Sequence, residues 1–511
     1  MDLAELTRQT LEKAQEAIKA AQNDPKMRKA IDLAVGLVGY NLQTPAKQLV
    51  PLLSPFQKTI PRIVKPGANS DNWRVITSLS SPKLFSTESA AGSLFTTSLS
   101  SPSAAFKVAA IQGKVTREAQ AASQGFDDAL AKETRNALLL ALKLEGQAFL
   151  GATLTALGGA PAAPTVALGT TAGGITAGAT TYYARIVAMN LFAFNRVASD
   201  MINLADTNAN SENMLTPVGV LQAKLQTIAL GATAVTGCGM TQIGAEGNSG
   251  SQTPTNKSLK ITWAAVPGAV AYIVFVGTTT GAANLKAECI VTQTQVTLFS
   301  LAGTGAIGTD AAVPAADETD DANAYDGIIP QLIAAGSGAY LKNVNGVLVG
   351  TAAKGEVVEL QDAFASIYQN AKIGKFRVIM SGLDARLLAA KGIISNSMQI
   401  FATPTAEGRM NMTIGAHVGE ILNATTGDIC PVDVEPWLAP GTIVILPTEI
   451  PYPDANALAP FQWVGSHDWE RWDYASTAST GPIYPFDVRC NGVLEGIFTG
   501  GCGLLYNVWK G

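Results

Sequence analysis

"GFDDALAKETRNALLLALKLEGQAFLG", residues 125–151, is the strongest helical pattern in the chain. Phe126, Leu130, Ala137, Ala141, Leu144 and Ala148 fall on one stripe, and Asp127 and Asp128 suit the positive end of the helix dipole. At about 1.5 Å per residue the helix would run roughly 37 Å. The stretches on either side decide what it belongs to.

On the N-terminal side, Asn69 to about Ala110 has strand-like ends, "NWRVITSL" and "AAFKVAAIQGKVTRE", around a middle that holds ten serines between Ser78 and Ser103. Connections in compact domains are mostly a few residues long, so this segment is expected to be disordered or docked on a neighbouring molecule. Before it, "TPAKQLVPLLSPFQKTIPRIVKPG" has prolines at 45, 51, 55, 61 and 66, a spacing that forbids long helix and predicts an extended strap. Residues 3–22 form an amphipathic helical pattern with Leu3, Leu6, Leu11, Ala14 and Ile18 on one face. Asp24-Pro25 then supplies a cap and first-turn proline for a second helix to about Tyr40.

On the C-terminal side the composition changes near Gly158. To about Pro314, Lys and Arg are sparse, Gly and Thr dominate, and strands are predicted in "TYYARIVAMN", "SLKITWAAVPGAVAYIVFVGTTTG", "KAECIVT" and "TQVTLFSL". Pro267-Gly268 fits a type II turn, since proline presets the first φ and glycine accepts the positive second. The segment reads as an all-β module, and its Gly/Ala/Pro-rich ends and low charge predict an exposed knob whose removal leaves a foldable host. Asp317, Glu318, Asp320 and Asp321 then read as a solvated linker. "GEVVELQDAFASIYQNAKIGKFRVIMSGLDARLLAAKG" predicts a helix, a buried strand at Phe376–Met380 and another helix. The rest, to Gly511, alternates strands with turns and is rich in tryptophan.

Bulk properties narrow the function. The 511 residues are 47% hydrophobic but only 15% charged, with a net charge of −5, so much of the surface is expected to face other protein. No run of eighteen apolar residues exists, which argues against a membrane span. "MDLAELTRQTLEKAQ" mixes both signs without an apolar core, so no signal peptide is expected. Five scattered cysteines (Cys238, Cys289, Cys430, Cys490, Cys502) describe buried thiols rather than a disulfide framework, and with only His417 and His467 a His/Cys zinc cluster is not expected.

Three local patterns invite chemistry. "GTGAIG", Gly303–Gly308, matches a dinucleotide fingerprint, but "TDAAVPAADE" follows where a helix should open, so a loop is expected. The acidic stretch 317–326 is a poor match to a calcium loop. "WVGSHDWERWDYAS", 463–476, sets Trp463, Trp469, Trp472 and Tyr474 beside Asp468, Glu470 and Asp473. Aromatic faces next to paired carboxylates could bind and cleave a glycan, or could form a packed protein interface. The interface is favoured, and no catalytic, cofactor or metal residue is assigned.

The layout of arm, strap, Ser-rich extended segment, long helix and later helix–strand–helix block resembles the major capsid proteins of tailed bacteriophages, the Hong Kong 97-type fold. That resemblance implies an α+β fold with residues 1–68 as N-terminal arm and strap, 69–118 as extended loop (E-loop), and 119–157 as spine helix and peripheral domain. It makes 315–511 the axial domain, with Glu356–Lys391 as its core, and the return of the peripheral domain; "PFDVRCNGVLEGIFTGGCGLLYNV" at 485–508 resembles the strand-rich end of such proteins. Residues 158–314 resemble an immunoglobulin-like or fibronectin type III-like insertion, with Trp263 and Tyr272 as core residues, although "TYYARIVAMN" precedes the tryptophan strand where the fibronectin order would put it late. The implied function is structural and non-enzymatic, without cofactors. The chain would assemble with itself, in hexamers and pentamers, into the icosahedral shell of a virion in the bacterial cytoplasm, enclosing double-stranded DNA. Trp73, Arg74, Trp463, Trp469 and Trp472 would lie at subunit interfaces, and portal, scaffolding and decoration proteins are further partners such a shell admits. The alternative is a secreted carbohydrate-binding or carbohydrate-active protein with an adhesive β-module.

Charge adds a direction. Residues 1–150 carry 18 Lys and Arg against 13 Asp and Glu, whereas residues 151–511 carry 17 against 27. A basic inner lining favours packed phosphate without base readout, so Lys26, Arg28, Lys29, Lys132, Arg135 and Lys143 are expected to face DNA.

Overall fold

In the computed structural model, the described residues are 56–123, 128–175, 180–197, 239–253, 256–281, 285–301, 316–347, 357–392, 401–404, 410–413, 418–450, 459–474 and 483–509, with 12–13, 15–16 and 211–212 as fragments. The expected arm helices fall almost wholly outside them, as do Lys26, Arg28, Lys29, the strap before Phe56 and the Gly303–Gly308 loop. Two compact units divide the chain: Met1–Pro51 with Thr116–Lys132, and Leu52–Val115 with Glu133–Gly511. In the first, α1 (Arg117–Ala122) begins where the Thr116 hydroxyl accepts the Ala119 N–H at 3.2 Å.

The second unit starts with a 3-10 turn at Phe56–Thr59 and six strands: β1 (Arg62–Val64), β2 (Ser70–Asn72), β3 (Val75–Leu79), β4 (Thr97–Ser100), β5 (Ser103–Ala105) and β6 (Lys107–Thr116). β2 pairs with β5 and β3 with β4, both antiparallel, and neither pair joins a larger sheet. The long helix follows as α2 (Ala129–Gly151). Its buried side runs through Ala137, Ala141, Glu145 and Phe149, four residues apart, while Leu144, expected on the buried stripe, is exposed. A glutamate displaces a leucine because polar donors converge on it, as described below.

The next segment contains β7 (Thr165–Ile175), β8 (Thr180–Met189), α3 (Leu191–Val197), β9 (Ser211–Glu212), β10 (Gly247–Gln252), β11 (Lys257–Thr262), β12 (Ala271–Gly277), β13 (Lys286–Val291) and β14 (Gln295–Leu298). They form two antiparallel four-stranded sheets, β10-β8-β12-β13 and β7-β11-β14-β9. Leu259, Ile261, Trp263, Tyr272, Val274 and Cys289 belong to the core that the two sheets share. Trp263 meets Tyr272 edge to face, with ring centroids 5.5 Å apart, and the Tyr272 hydroxyl accepts the Val266 N–H at 3.1 Å. Gly268 takes φ +79° and the Ala269 N–H closes the turn on the Val266 carbonyl at 3.1 Å.

In the first of these sheets β8, β12 and β13 send side chains into a core on each face, which differs from the exposed-knob expectation. Val187, Met189, Ile273, Phe275 and Ile290 point away from the shared core into a second one, with Phe149 and Leu150 of α2 and with Ile328, Phe461 and Trp463 from later in the chain. The stretch Ala269–Val276 is apolar at every position, and unbroken runs of this kind are what a strand covered on both faces requires. The segment's two ends run side by side. Asp326 accepts the Leu154 N–H at 2.7 Å, Asp317 accepts the Gly159 N–H at 3.0 Å, and Thr153 Oγ1 donates to the Thr319 carbonyl at 3.2 Å. The acidic stretch therefore closes the neck of the module instead of hanging free in solvent.

The remainder supplies α4 (Ile328–Ile333), β15 (Tyr340–Val347), α5 (Val358–Ala371), β16 (Phe376–Met380), α6 (Gly382–Gly392), β17 (Phe401–Pro404), β18 (Met410–Thr413), β19 (Glu420–Leu422), β20 (Ile429–Val434), β21 (Ile443–Pro447), β22 (Phe461–Asp473), β23 (Ile483–Gly496) and β24 (Gly503–Trp509). β17 and β18 pair with each other. A mixed six-stranded sheet, β15-β24-β21-β16-β20-β19, shares a core with α5 and α6 in which Phe364 stacks on Phe376 at 5.2 Å. The last sheet, β1-β22-β23-β6, carries the root of the extended hairpin.

Candidate functional site

The β3–β4 hairpin is the feature that a single chain leaves unfinished. Its strands and their connection expose Ile76, Leu79, Leu84, Phe85, Leu94, Phe95 and Leu99, with Leu84, Phe85 and Leu94 each more than 85% accessible. Scattered exposed apolar residues are ordinary on protein surfaces, but seven large ones on a single two-stranded arm are not. Among the described residues the arm is anchored at its base. There β2 and β5 pair over three residues, the Phe106 N–H donates to the Asn69 carbonyl at 2.9 Å, and the Trp73 N–H donates to the Pro102 carbonyl at 3.2 Å. Trp73 is half-buried at this root with its indole Nε1 unpartnered, and Arg74 beside it is exposed.

Below the root, buried Glu145 of α2 ties three elements together. Its Oε2 accepts from Arg62 of β1 at 2.9 Å, from Trp469 Nε1 of β22 at 3.0 Å and from Gln57 Nε2 of the 3-10 turn. Arg62 also reaches Asp468 at 2.5 Å and lies 4.2 Å from the Trp463 ring centre. The cavity of about 550 Å³ between α2, β6 and the 319–325 stretch is lined by Glu145, Trp469, Tyr325 and Cys490, among others. Burial, reinforced by the Glu145 charge, pushes both the Tyr325 hydroxyl and the Cys490 thiol well up, so both stay neutral there. With one oxygen accepting from three donors and the other buried, Glu145 holds these elements together.

The tryptophans expected at interfaces separate. Trp463 is 1% exposed in the chain's own core, and Trp469 packs against that core with its indole donated to Glu145. Trp463 has no area left to bury on a neighbour, whereas Trp469 is half-buried. Trp472 is 41% exposed, donates to Glu470 at 2.6 Å and has the Arg489 guanidinium 5.3 Å from its ring centre. The nearby carboxylates are likewise engaged, Asp468 by Arg62 and Asp473 by Arg471 at 2.6 Å.

Of the basic residues expected to face DNA, Arg135 is exposed and Lys132 half-buried, but Lys143 has its ammonium 4.0 Å from the Trp437 ring centre and is engaged within the subunit. Sequence reasoning does not single out Glu145; no local signal distinguishes it, because its three donors come from positions 57, 62 and 469. Among the described residues no group of three His, Cys, Asp or Glu could hold a metal ion, and no helix is long and apolar enough to cross a membrane.

No family model matches the sequence, and no curated protein matches it. Among solved structures, the chain is similar to the capsid of a native GTA particle, at 10% identity and a TM-score of 0.38, covering 93% of this chain and 98% of that one. It is similar to the capsid of Myoviridae phage XM1 at 8% identity and a TM-score of 0.38, with 93% and 100% covered. A third is the holo-SrpI encapsulin complex of Synechococcus elongatus PCC 7942, at 6% identity and a TM-score of 0.36, with 91% and 93% covered.

Proposed function

We propose that this chain is a structural shell subunit of the tailed-phage capsid type, whose function lies in the geometry of its contacts and not in bond-making chemistry. The observation that carries the reading is the β3–β4 arm. Seven large apolar side chains on a hairpin that no other described element covers make sense when a second copy of the chain covers them, and a chain that both offers an arm and receives one propagates into a closed assembly. Buried at about 25 cal/mol per Å², such side chains contribute roughly 1.5–3 kcal/mol each, enough for the arm to hold neighbouring subunits together. In this reading residues 158–314 are an immunoglobulin-like module grown into the host fold, double-stranded DNA is the cargo, and the exposed Arg135 belongs to the inner wall.

The test replaces Val75–Ser100 by a short Gly-Ser turn, leaving the β2–β5 root in place. The variant should stay soluble and keep the wild-type near-UV circular dichroism, because the removed residues touch no core. It should form no closed particles by electron microscopy and light scattering under conditions where the full chain does. Particles of normal size from the variant, or a full chain that stays monomeric at high concentration, would refute the proposal.

A further inference from the structure

We infer that the root of the extended hairpin is fastened by a carboxylic acid–carboxylate pair, Glu495 and Asp71, that shares a single proton and loosens the root when that proton leaves. The inference stands on the subunit alone and does not depend on the shell reading.

Asp71 lies on β2, in the root itself, and Glu495 lies on β23 of the sheet beneath; both side chains are buried, Glu495 to 1% exposure. The two buried carboxyls interact directly, and a proton on one lets it donate to the other, since two ionised carboxylates have no donor to offer each other. The remaining partners decide where that proton sits. Asp71 Oδ2 accepts from Lys65 Nζ and its Oδ1 accepts the Asn72 N–H at 2.9 Å, so Asp71 is the better-supported anion. Glu495 Oε2 accepts from Gln462 Nε2 at 2.7 Å, whereas its buried Oε1 has no donor at all. A protonated Oε1 donating to Asp71 satisfies both residues at once.

The surroundings supply no second cation. Among the described residues the charged groups facing the pair are Lys65, from the β1–β2 turn, and the pair's own members; β22 offers the neutral Gln462. β5 and the 321–327 stretch bring Ala104 and Tyr325 to the adjoining apolar cluster of Phe106, Val464 and Val493, and burial keeps Tyr325 protonated. When the proton departs to water, two anions face each other out of solvent with one ammonium between them. The least costly relief is to move β2, and with it the arm, off the sheet.

Burial first, and then the contact with Asp71, pushes the Glu495 carboxyl up to about 7. Burial opposes ionisation of Asp71 as well, but its bonds with Glu495 and Lys65 outweigh that and hold it low. Glu495 is thus raised above its ordinary 4.5, and its stabilising contribution is full below that value and lost as pH climbs to about 7.

The test follows amide hydrogen exchange in the full chain at the Phe106 and Trp73 N–H groups, from about pH 5 to 8, corrected for intrinsic exchange. Opening of the root should become more frequent by up to about tenfold per pH unit below about 7 and level off above it. Glu495→Gln, whose amide donates to Asp71 as the acid does, should remove the slope and keep the root protected. Asp384 titrates in the same range, so the local comparison of wild type with E495Q, and not global stability, is decisive. A flat wild-type profile, or an unchanged slope in E495Q, would overturn the inference. If E495Q does not fold, carbon-13 labelling of glutamate in the wild type decides by infrared spectroscopy: a protonated-carboxyl band must be present near pH 6 and gone by about pH 8. Its absence at pH 6 refutes the shared proton.

Discussion

Excising residues 160–312 and bridging the gap with a short Gly-Ser linker should abolish folding of the remainder. The excision removes from the host core the side chains of Val187, Met189, Phe194, Ile273, Phe275 and Ile290, each at most 1% exposed. At roughly 1.5–3 kcal/mol per fully buried large side chain, these six contribute on the order of 9–18 kcal/mol. The whole stability of a domain is about 5–15 kcal/mol, so the host cannot absorb the loss. It would also expose Phe149, Phe461 and Trp463, which now pack in that core. The assay is soluble yield, gel filtration and urea unfolding of the excised chain beside the full one. A single-site companion sharpens it. Ile273 and Val274 are neighbours on β12 that face different cores, so Ile273→Ala should cost about 2–5 kcal/mol, as buried Ile truncations do, whereas a strand with a solvent-facing side would tolerate it. An excised chain that is soluble, monodisperse and cooperative in unfolding, together with a near-neutral I273A, would refute the shared-core reasoning.

Three further outcomes are expected. Gly492→Ala places a Cβ 2.4 Å from the Trp463 ring, wedged between β22 and β23, and should lower stability by about 1–3 kcal/mol in urea unfolding, with Gly67→Ala, whose Cβ meets nothing but whose φ of +83° is strained, as a separable control of backbone cost. Glu145→Ala removes the acceptor of Arg62, Trp469 and Gln57 and should cost about 3–5 kcal/mol by leaving a partly buried guanidinium to Asp468 alone, while Glu145→Gln should retain part of that; equal effects of the two would contradict the role given to the charge. Asp384, pushed up to about 7 by burial despite hydrogen bonds from Gly441 and Ser381, stabilises most below its ordinary 3.8 and loses that contribution as pH rises to about 7, so Asp384→Asn should flatten the pH dependence of thermal unfolding in that interval.

Much of the outline is written locally. The helix at 129–151 follows from its high content of good helix formers, the strand at Phe376–Met380 from its apolar core between two amphipathic stretches, and the Pro267-Gly268 turn from the φ demands of those two residues. The arm is legible too, since a long Ser-rich connection between strands cannot be buried by the chain that carries it. The uninterrupted apolar run Ala269–Val276 held the information that β12 is covered on both faces, yet which element covers the second face cannot be read from it. That depended on Phe149, Phe461 and Trp463 arriving from more than a hundred residues away on either side. Glu145 and Glu495 show the same limit more sharply. A carboxylate on an otherwise apolar helix or strand looks like a solvent-facing charge, because its cost or benefit is set by partners at positions such as 57, 62, 71 and 469, and chain-distant donors leave no trace in the residues beside it. The sequence by itself determined the long helix, the helix–strand–helix block, the Pro267-Gly268 turn and the arm, because those rest on backbone preferences and on spacing within a few residues. The tertiary structure alone decided which faces are buried and where each carboxylate finds its proton or its cation, because burial and electrostatics belong to the neighbours a residue meets in space.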